Sequence, residues 1–233
     1  MIEIRNLTKV FTTSGRRHVV FENLNLTVPA NTSVALLGRN GAGKSTLLQI
    51  LAGTMDATSG EIITDSTISW PVGFAGSFHP ELTGAQNTKF VARTYGIDTD
   101  EMRKFVEDFA DLGQHFYLPL RTYSSGMKGR LAFGTSMAVK FDYYLVDEST
   151  AAGDKSFRDK AEAVFLDRMS TSGSFVVSHS MRQIKALCNV ALVLEDGEIT
   201  VFDDVEEAIA THEANMERAG EERRKKVLPG TGN

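Results

Sequence analysis

A chain of 233 residues, 42% hydrophobic and 24% charged, is long enough for one sizeable core or for a core with a small satellite subdomain. Its formal net charge of -5 argues against a nucleic-acid binder held mainly by phosphate neutralisation. A single cysteine, Cys188, excludes an internal disulfide framework and a CxxC metal clip, and no apolar run approaches the roughly 20 residues that span a bilayer.

The elements follow in chain order. Ile2, Ile4 and Leu7, then Phe21, Leu24, Leu26 and Val28, supply the apolar positions of strands in a partly exposed sheet. SVALLG is a continuous apolar run, the pattern of a strand buried on both faces, and KSTLLQILAG turns helical with Gly53 as its stop. SGEIITD predicts a further strand. WPVGFAGSFHPELTG, Trp70 to Gly84, is rich in glycine and aromatic rings with one carboxylate, Glu81, which does not mark it as a catalytic loop. Met102, Phe105, Val106, Phe109 and Leu112 then recur at helical spacing. After Thr122 come a helix from about Ser125, the strand DYYLVDE, a helix over Lys155 to Met169, the strand SFVVSH, another helix, and VALVLEDGEITVF with a DG hairpin turn. Strands alternating with helices predict an α/β chain with a mostly parallel sheet. Cys188 reads as a small buried apolar side chain, and the polar segment from Val205 as a charged helical tail that frays.

GRNGAGKST, Gly38 to Thr46, matches GxxxxGK[ST] between a buried strand and a helix, which is where a phosphate-cradling loop must lie. Gly38, Gly41 and Gly43 let backbone N–H groups turn toward a phosphate chain. Lys44 reaches the outer phosphates and the Ser45 hydroxyl suits Mg²⁺. In DYYLVDE, Asp147 suits the metal shell and Glu148 the general base. Two acids after a strand are often solvated edge residues or a cap. Here they follow the phosphate loop, and His179 ends another strand, so the three gather where α/β sites lie. TYSSGMKGR has the hydroxyls and helix start of an anion site, although an ordinary serine cap leaves the same pattern.

In this order and spacing the pieces resemble the ATP-binding subunit of an ABC transporter, from Met1 to about Asp204. GRNGAGKST looks like its Walker A motif, with Asn40, Ala42 and Thr46 completing the nucleotide loop. YSSGM looks like its signature, YYLVDE its Walker B with Glu148 as catalytic glutamate, AAGD its D-loop with Asp154, and His179 its switch histidine. The resemblance implies a P-loop fold with an antiparallel β subdomain and a helical subdomain at about 80–135 in an ATPase domain over 1–204, followed by the tail at 205–233. It also implies ATP and Mg²⁺ as ligands, Ser45 and Asp147 as metal ligands, and a head-to-tail dimer in which Ser124, Ser125 and Gly126 serve the partner's ATP. Phe11 corresponds to the ring that stacks on adenine, with Phe21 as a weaker competitor.

ISWPVGFAGSFHPELTG and KFDYYLVDE look like the polysaccharide exporters of that family, especially the capsular type. The implied partners are a second copy and an integral membrane permease that handles the polymer, with no nucleic acid, at the cytoplasmic face of the bacterial inner membrane. Teichoic-acid and O-antigen export are the neighbouring readings. A different transporter, a non-transport ABC ATPase of translation or DNA repair, and a binding-only module are more remote. Many O-antigen subunits carry a carbohydrate-binding domain after the ATPase, and the expectation is that this chain lacks one. Phe74, Phe78 and His79 fall on the surface expected to couple to the permease, with Gly73, Gly76 and Gly84 as hinges. Phe74 stands where most of the family has a glutamine, and SSGM replaces the commoner SGGQ.

Overall fold

The computed structural model describes residues 1–76, 78–147 and 155–227, the last seven of these as backbone only. In chain order the elements are β1 (Ile2–Thr13), β2 (Arg16–Val28), β3 (Ser33–Gly38), α1 (Lys44–Leu51), β4 (Ser59–Thr64), β5 (Ile68–Pro71), α2 (Gly84–Thr94), α3 (Thr99–Ala110), α4 (Ser125–Ala138), β6 (Tyr143–Asp147), α5 (Lys155–Met169), β7 (Gly173–Val177), α6 (Met181–Leu187), β8 (Val190–Glu195), β9 (Glu198–Phe202) and α7 (Val205–Val227). They form two compact units, one of Met1–Thr64 with Phe175–Asn233 and one of Asp65–Ser174.

In the first unit β1 lies between β2 and β4, antiparallel to both. Its ladder with β2 slips in register between Ile4 and Val10. Asparagines hold the irregular stretch: Asn6 N–H donates to Asn25 Oδ1 at 2.9 Å, and Asn6 and Asn23 take positive φ, which asparagine tolerates better than most residues. Ile2, Ile4, Leu7, Phe21, Leu24 and Val28 are buried, and the three-residue steps Ile4–Leu7 and Phe21–Leu24 fall where the ladder slips, so the bulges keep one apolar face inward. All six residues of β3 are buried. It pairs in parallel with β8 from Val34↔Val190 to Gly38↔Leu194, which accounts for its unbroken apolar run. β8 and β9 close as a hairpin on Asp196 and Gly197, both at positive φ. α7 packs on β8, β3, β9 and α6 through Val205, Ala208 and Ile209. Cys188 is buried, and burial pushes its thiol up to about 12, so it behaves as an apolar filler.

In the second unit β5 and β6 run parallel. α3 starts on the Asp98 carboxylate, which accepts from the N–H groups of Asp100 and Glu101. Its apolar stripe buries Met102, Val106 and Phe109. Phe109 stacks on Phe105 at 5.9 Å and Phe133 at 5.7 Å and meets Phe157 edge-on at 5.4 Å, tying α3 to α4 and α5. Trp70, Tyr95 and Phe141 form a second aromatic knot. Parallel pairing, an antiparallel sheet and the α2–α4 helices make this the expected α/β architecture.

Candidate functional site

Gly38 to Thr46 carries the chain from buried β3 into the first turn of α1. A Cβ on Gly38 would lie 2.5 Å from the Leu194 carbonyl oxygen, so only glycine lets this loop pass the end of β8. Gly43 is the N-cap of α1 at φ 106, and a Cβ there would collide with Val20 Cγ1. A glycine cap brings no side-chain acceptor to the helix start, where the peptide dipoles leave partial positive charge. Lys44 Nζ donates to the carbonyls of Gly38 at 2.6 Å and Arg39 at 3.1 Å, which folds its ammonium over the loop it belongs to. Asn40, Gly41 and Ser45 are exposed, and Ala42 and Thr46 half-buried. The loop therefore offers a cation and a positive helix end to a polyanion.

A groove of about 410 Å³ runs beside the loop, lined by His18, Val20, Arg39, Gly41, Glu195 and Gly197 among others. Phe11 pairs across the β1–β2 ladder with His18. Phe11 is 38% exposed with Lys9 Nζ 4.8 Å from its ring centroid, whereas Phe21 is 0% exposed. Phe11 can therefore present a ring face to a planar ligand and Phe21 cannot. His179, also in the first unit, is exposed just after β7. The Ser178 hydroxyl donates to Gln183 Oε1 at 2.8 Å and accepts from Ser180 N–H at 3.0 Å, which braces the turn on either side of His179.

The second unit holds the remaining positions. Asp147 is the half-buried last residue of β6. Glu148 and Asp154 lie outside the described residues. Ser124 is the N-cap of α4, its Oγ accepting from Met127 N–H at 3.2 Å, and Ser125 opens the helix. Ser124 and Gly126 line a depression of about 320 Å³ with Asp111, His115, Met127 and Arg130. Ser124 is thus an ordinary cap in geometry and also faces an open recess.

Trp70 begins the glycine-rich stretch half-buried, its indole Nε1–H donating to Ser136 Oγ at 3.0 Å. Phe74 is 54% exposed, and its ring covers Gly76, where a Cβ would strike it. Phe78 is half-buried and His79 exposed. Buried Asn87 knots this segment to α2. Its Oδ1 accepts from His79 N–H at 2.8 Å, and its Nδ2 donates to the carbonyls of His79, Leu82 and Thr83. Gly84 is a packing position: a Cβ would lie 2.5 Å from the Tyr123 hydroxyl. Sequence reasoning missed Asn87, Arg39 and Glu195. Arg39 Nη1 sits 3.2 Å from Glu195 Oε1, and the signal for Glu195 was its place at the carboxyl end of a parallel strand.

The model of the ABC transporter family matches residues 21–151. The polysialic acid transport ATP-binding protein KpsT of Escherichia coli is 50% identical over 212 residues, covering 90% of this chain and 95% of that protein. The chain belongs to the ABC transporter family. This ABC protein is also 40% identical to the capsule polysaccharide export ATP-binding protein CtrD of Neisseria meningitidis, with 89% of this chain and 96% of the relative covered. Among solved structures it resembles a dimeric ATP-binding cassette in a post-hydrolysis state bound to ADP and Pi. The TM-score is 0.71 at 22% identity, covering 87% and 98% of the two chains, which shows the shared fold.

Proposed function

We propose that this ABC protein binds and hydrolyses ATP to power export of a capsular polysaccharide through a separate membrane permease. The observation that carries the reading is the Lys44 ammonium folded onto the Gly38 and Arg39 carbonyls of a loop that runs from the end of buried β3 into a glycine-capped helix start. That arrangement suits a polyphosphate. In this reading Asn40, Gly41, Ala42, Gly43 and Thr46 wrap the phosphates, Phe11 stacks on adenine, Glu148 polarises the attacking water and His179 senses the γ-phosphate. Among the described residues no group of three His, Cys, Asp or Glu side chains could hold a metal by themselves. In this reading the Ser45 hydroxyl and the Asp147 carboxylate are the hard oxygen donors assigned to Mg²⁺. Bound there, Mg²⁺ would neutralise phosphate charge.

Two copies form the working unit. Ser124, Ser125 and Gly126 at the start of α4, with Asp154, serve the ATP of the other copy. Among the described residues no helix is long and apolar enough to cross a membrane, and the reading assigns that role to the permease. Phe74 and Phe90 are exposed, and in this reading Phe74, Phe78 and His79 are the aromatic side chains assigned to meet it. The protein then works at the cytoplasmic face of the bacterial inner membrane. The names of the two relatives, which cover most of the chain, support the polymer class. Glu148→Gln tests the engine: it should reduce ATP turnover by at least about 100-fold, the scale of a lost general base. It should also elute with ATP as a stable dimer in size-exclusion chromatography. Turnover at the unaltered rate would remove Glu148 from its role.

A further inference from the structure

The buried face of α7 runs through Val205, Ala208 and Ile209, and the next turn of the same face carries His212. A histidine therefore occupies a position where the stripe calls for an apolar side chain. Its Nδ1 is buried with no hydrogen-bond partner. Glu195, at the end of β8, gives Oε1 to Arg39 of the phosphate loop at 3.2 Å, while its Oε2 is likewise buried and unpartnered. Two orphaned polar atoms, one able to donate when protonated and one able only to accept while ionised, thus stand on neighbouring elements. They are not bonded to each other, yet the Glu195 carboxylate acts on the imidazole by charge. Leaving both unsatisfied is costly; a hydrogen on Nδ1 would supply the missing donor, and only the doubly protonated imidazolium also brings the positive charge that the Glu195 carboxylate attracts.

We propose that His212 is a positioning residue for the phosphate loop: it takes up a proton when a polyphosphate neutralises Lys44, and the imidazolium then pairs with Glu195, fastening α7 to the loop through Arg39. The inference rests on the nucleotide reading above. The charges around the imidazole come from each side. The phosphate loop contributes Lys44, with Arg39 acting through Glu195. β8 contributes Glu195, α7 itself Glu213, and the turn before α6 His179. Lys185 of α6 is engaged with Glu206 at 3.1 Å, and among the described residues β9 adds no charge acting on His212. Burial first and Lys44 next hold His212 below the usual histidine range, His179 acts in the same direction, and Glu195 and Glu213 oppose them.

The sign follows from these causes. A phosphate brought to Lys44 cancels a charge that repels the proton, so the His212 pKa is higher in the complex than in the free protein. By reciprocity the protonated protein binds polyphosphate more tightly. ADP affinity therefore rises as pH falls through the pKa of the complex and levels off below that of the free protein. The slope is at most about tenfold per pH unit for one proton.

The test is calorimetry of ADP binding to the full chain across about pH 5.5 to 8, the range in which histidine titrates, in two buffers of different ionisation enthalpy. The unaltered protein should take up a proton that His212→Gln does not. The nucleotide's own ionisation is common to both proteins and cancels. Glu195→Gln keeps an acceptor for Arg39 but loses the charge, and should shrink the uptake; it carries the test if the His212 variant does not fold. Equal uptake in the unaltered protein and both variants would overturn the proposal. Lys44→Ala separates this from the broader reading. If it binds ADP as tightly as the unaltered protein, the nucleotide assignment fails. If it loses ADP while His212→Gln keeps full uptake, the His212 assignment alone fails.

Discussion

Lys44 and Gly43 divide the work of the phosphate loop between charge and backbone. Lys44 gathers two carbonyls of its own loop, and Gly43 turns the chain at φ 106 where any side chain would strike Val20. Gly41 also takes positive φ, +85, but a Cβ there would meet nothing within 4 Å. The two glycines should therefore differ on substitution. Gly41→Ala should cost only the backbone strain, about 1–2 kcal/mol. Gly43→Ala should add an overpacking cost of about 1–3 kcal/mol. Denaturant unfolding of the two variants checks this, and equal losses would contradict the packing account. At this scale the motif residues were legible because their chemistry is local: a loop of nine residues specifies its own anion site. Glu195, Arg39 and His212 were not, because Glu195 meets Arg39 across 156 positions and no periodicity announces such a pairing.

β3, α1 and α3 could be read from their patterns: six consecutive buried residues mark a strand covered on both faces, and Leu47, Leu48 and Leu51 in α1 and Met102, Val106 and Phe109 in α3 recur at three-and-four spacing on one buried face. β5 could not. It has four residues, ends on Pro71, and contains buried Ser69, whose hydroxyl accepts from Leu145 N–H at 2.9 Å and donates to the Trp70 carbonyl at 2.6 Å. A polar residue satisfied by strand neighbours breaks the apolar run that marks a buried strand. The segment after β5 is likewise held by a polar device, the Asn87 knot. Asn87→Ala would leave the His79 N–H and three carbonyls without that partner, and should destabilise the protein by about 1–3 kcal/mol. Limited proteolysis should then cut between residues 72 and 83 before the rest of the chain. An unchanged melting temperature and cleavage pattern would show that the knot does not hold the segment.

At the scale of the molecule, the proposed reading assigns each unit its own parts: the phosphate loop with its groove to one, and the serine-capped helix start and the end of β6 to the other. The sequence motifs made the chemistry legible, while the polymer class rested on resemblance along residues 68–84 and 140–148 and on the relatives' names. The central claim is that ATP held by Lys44 drives polysaccharide to the cell surface. It is tested most directly by measuring surface capsular polysaccharide in a null strain that carries its native permease and is supplied with either the unaltered chain or Lys44→Ala. The account predicts that the unaltered chain restores surface polymer and that Lys44→Ala leaves it inside the cell. Restoration of surface polymer by Lys44→Ala to the unaltered level would contradict it.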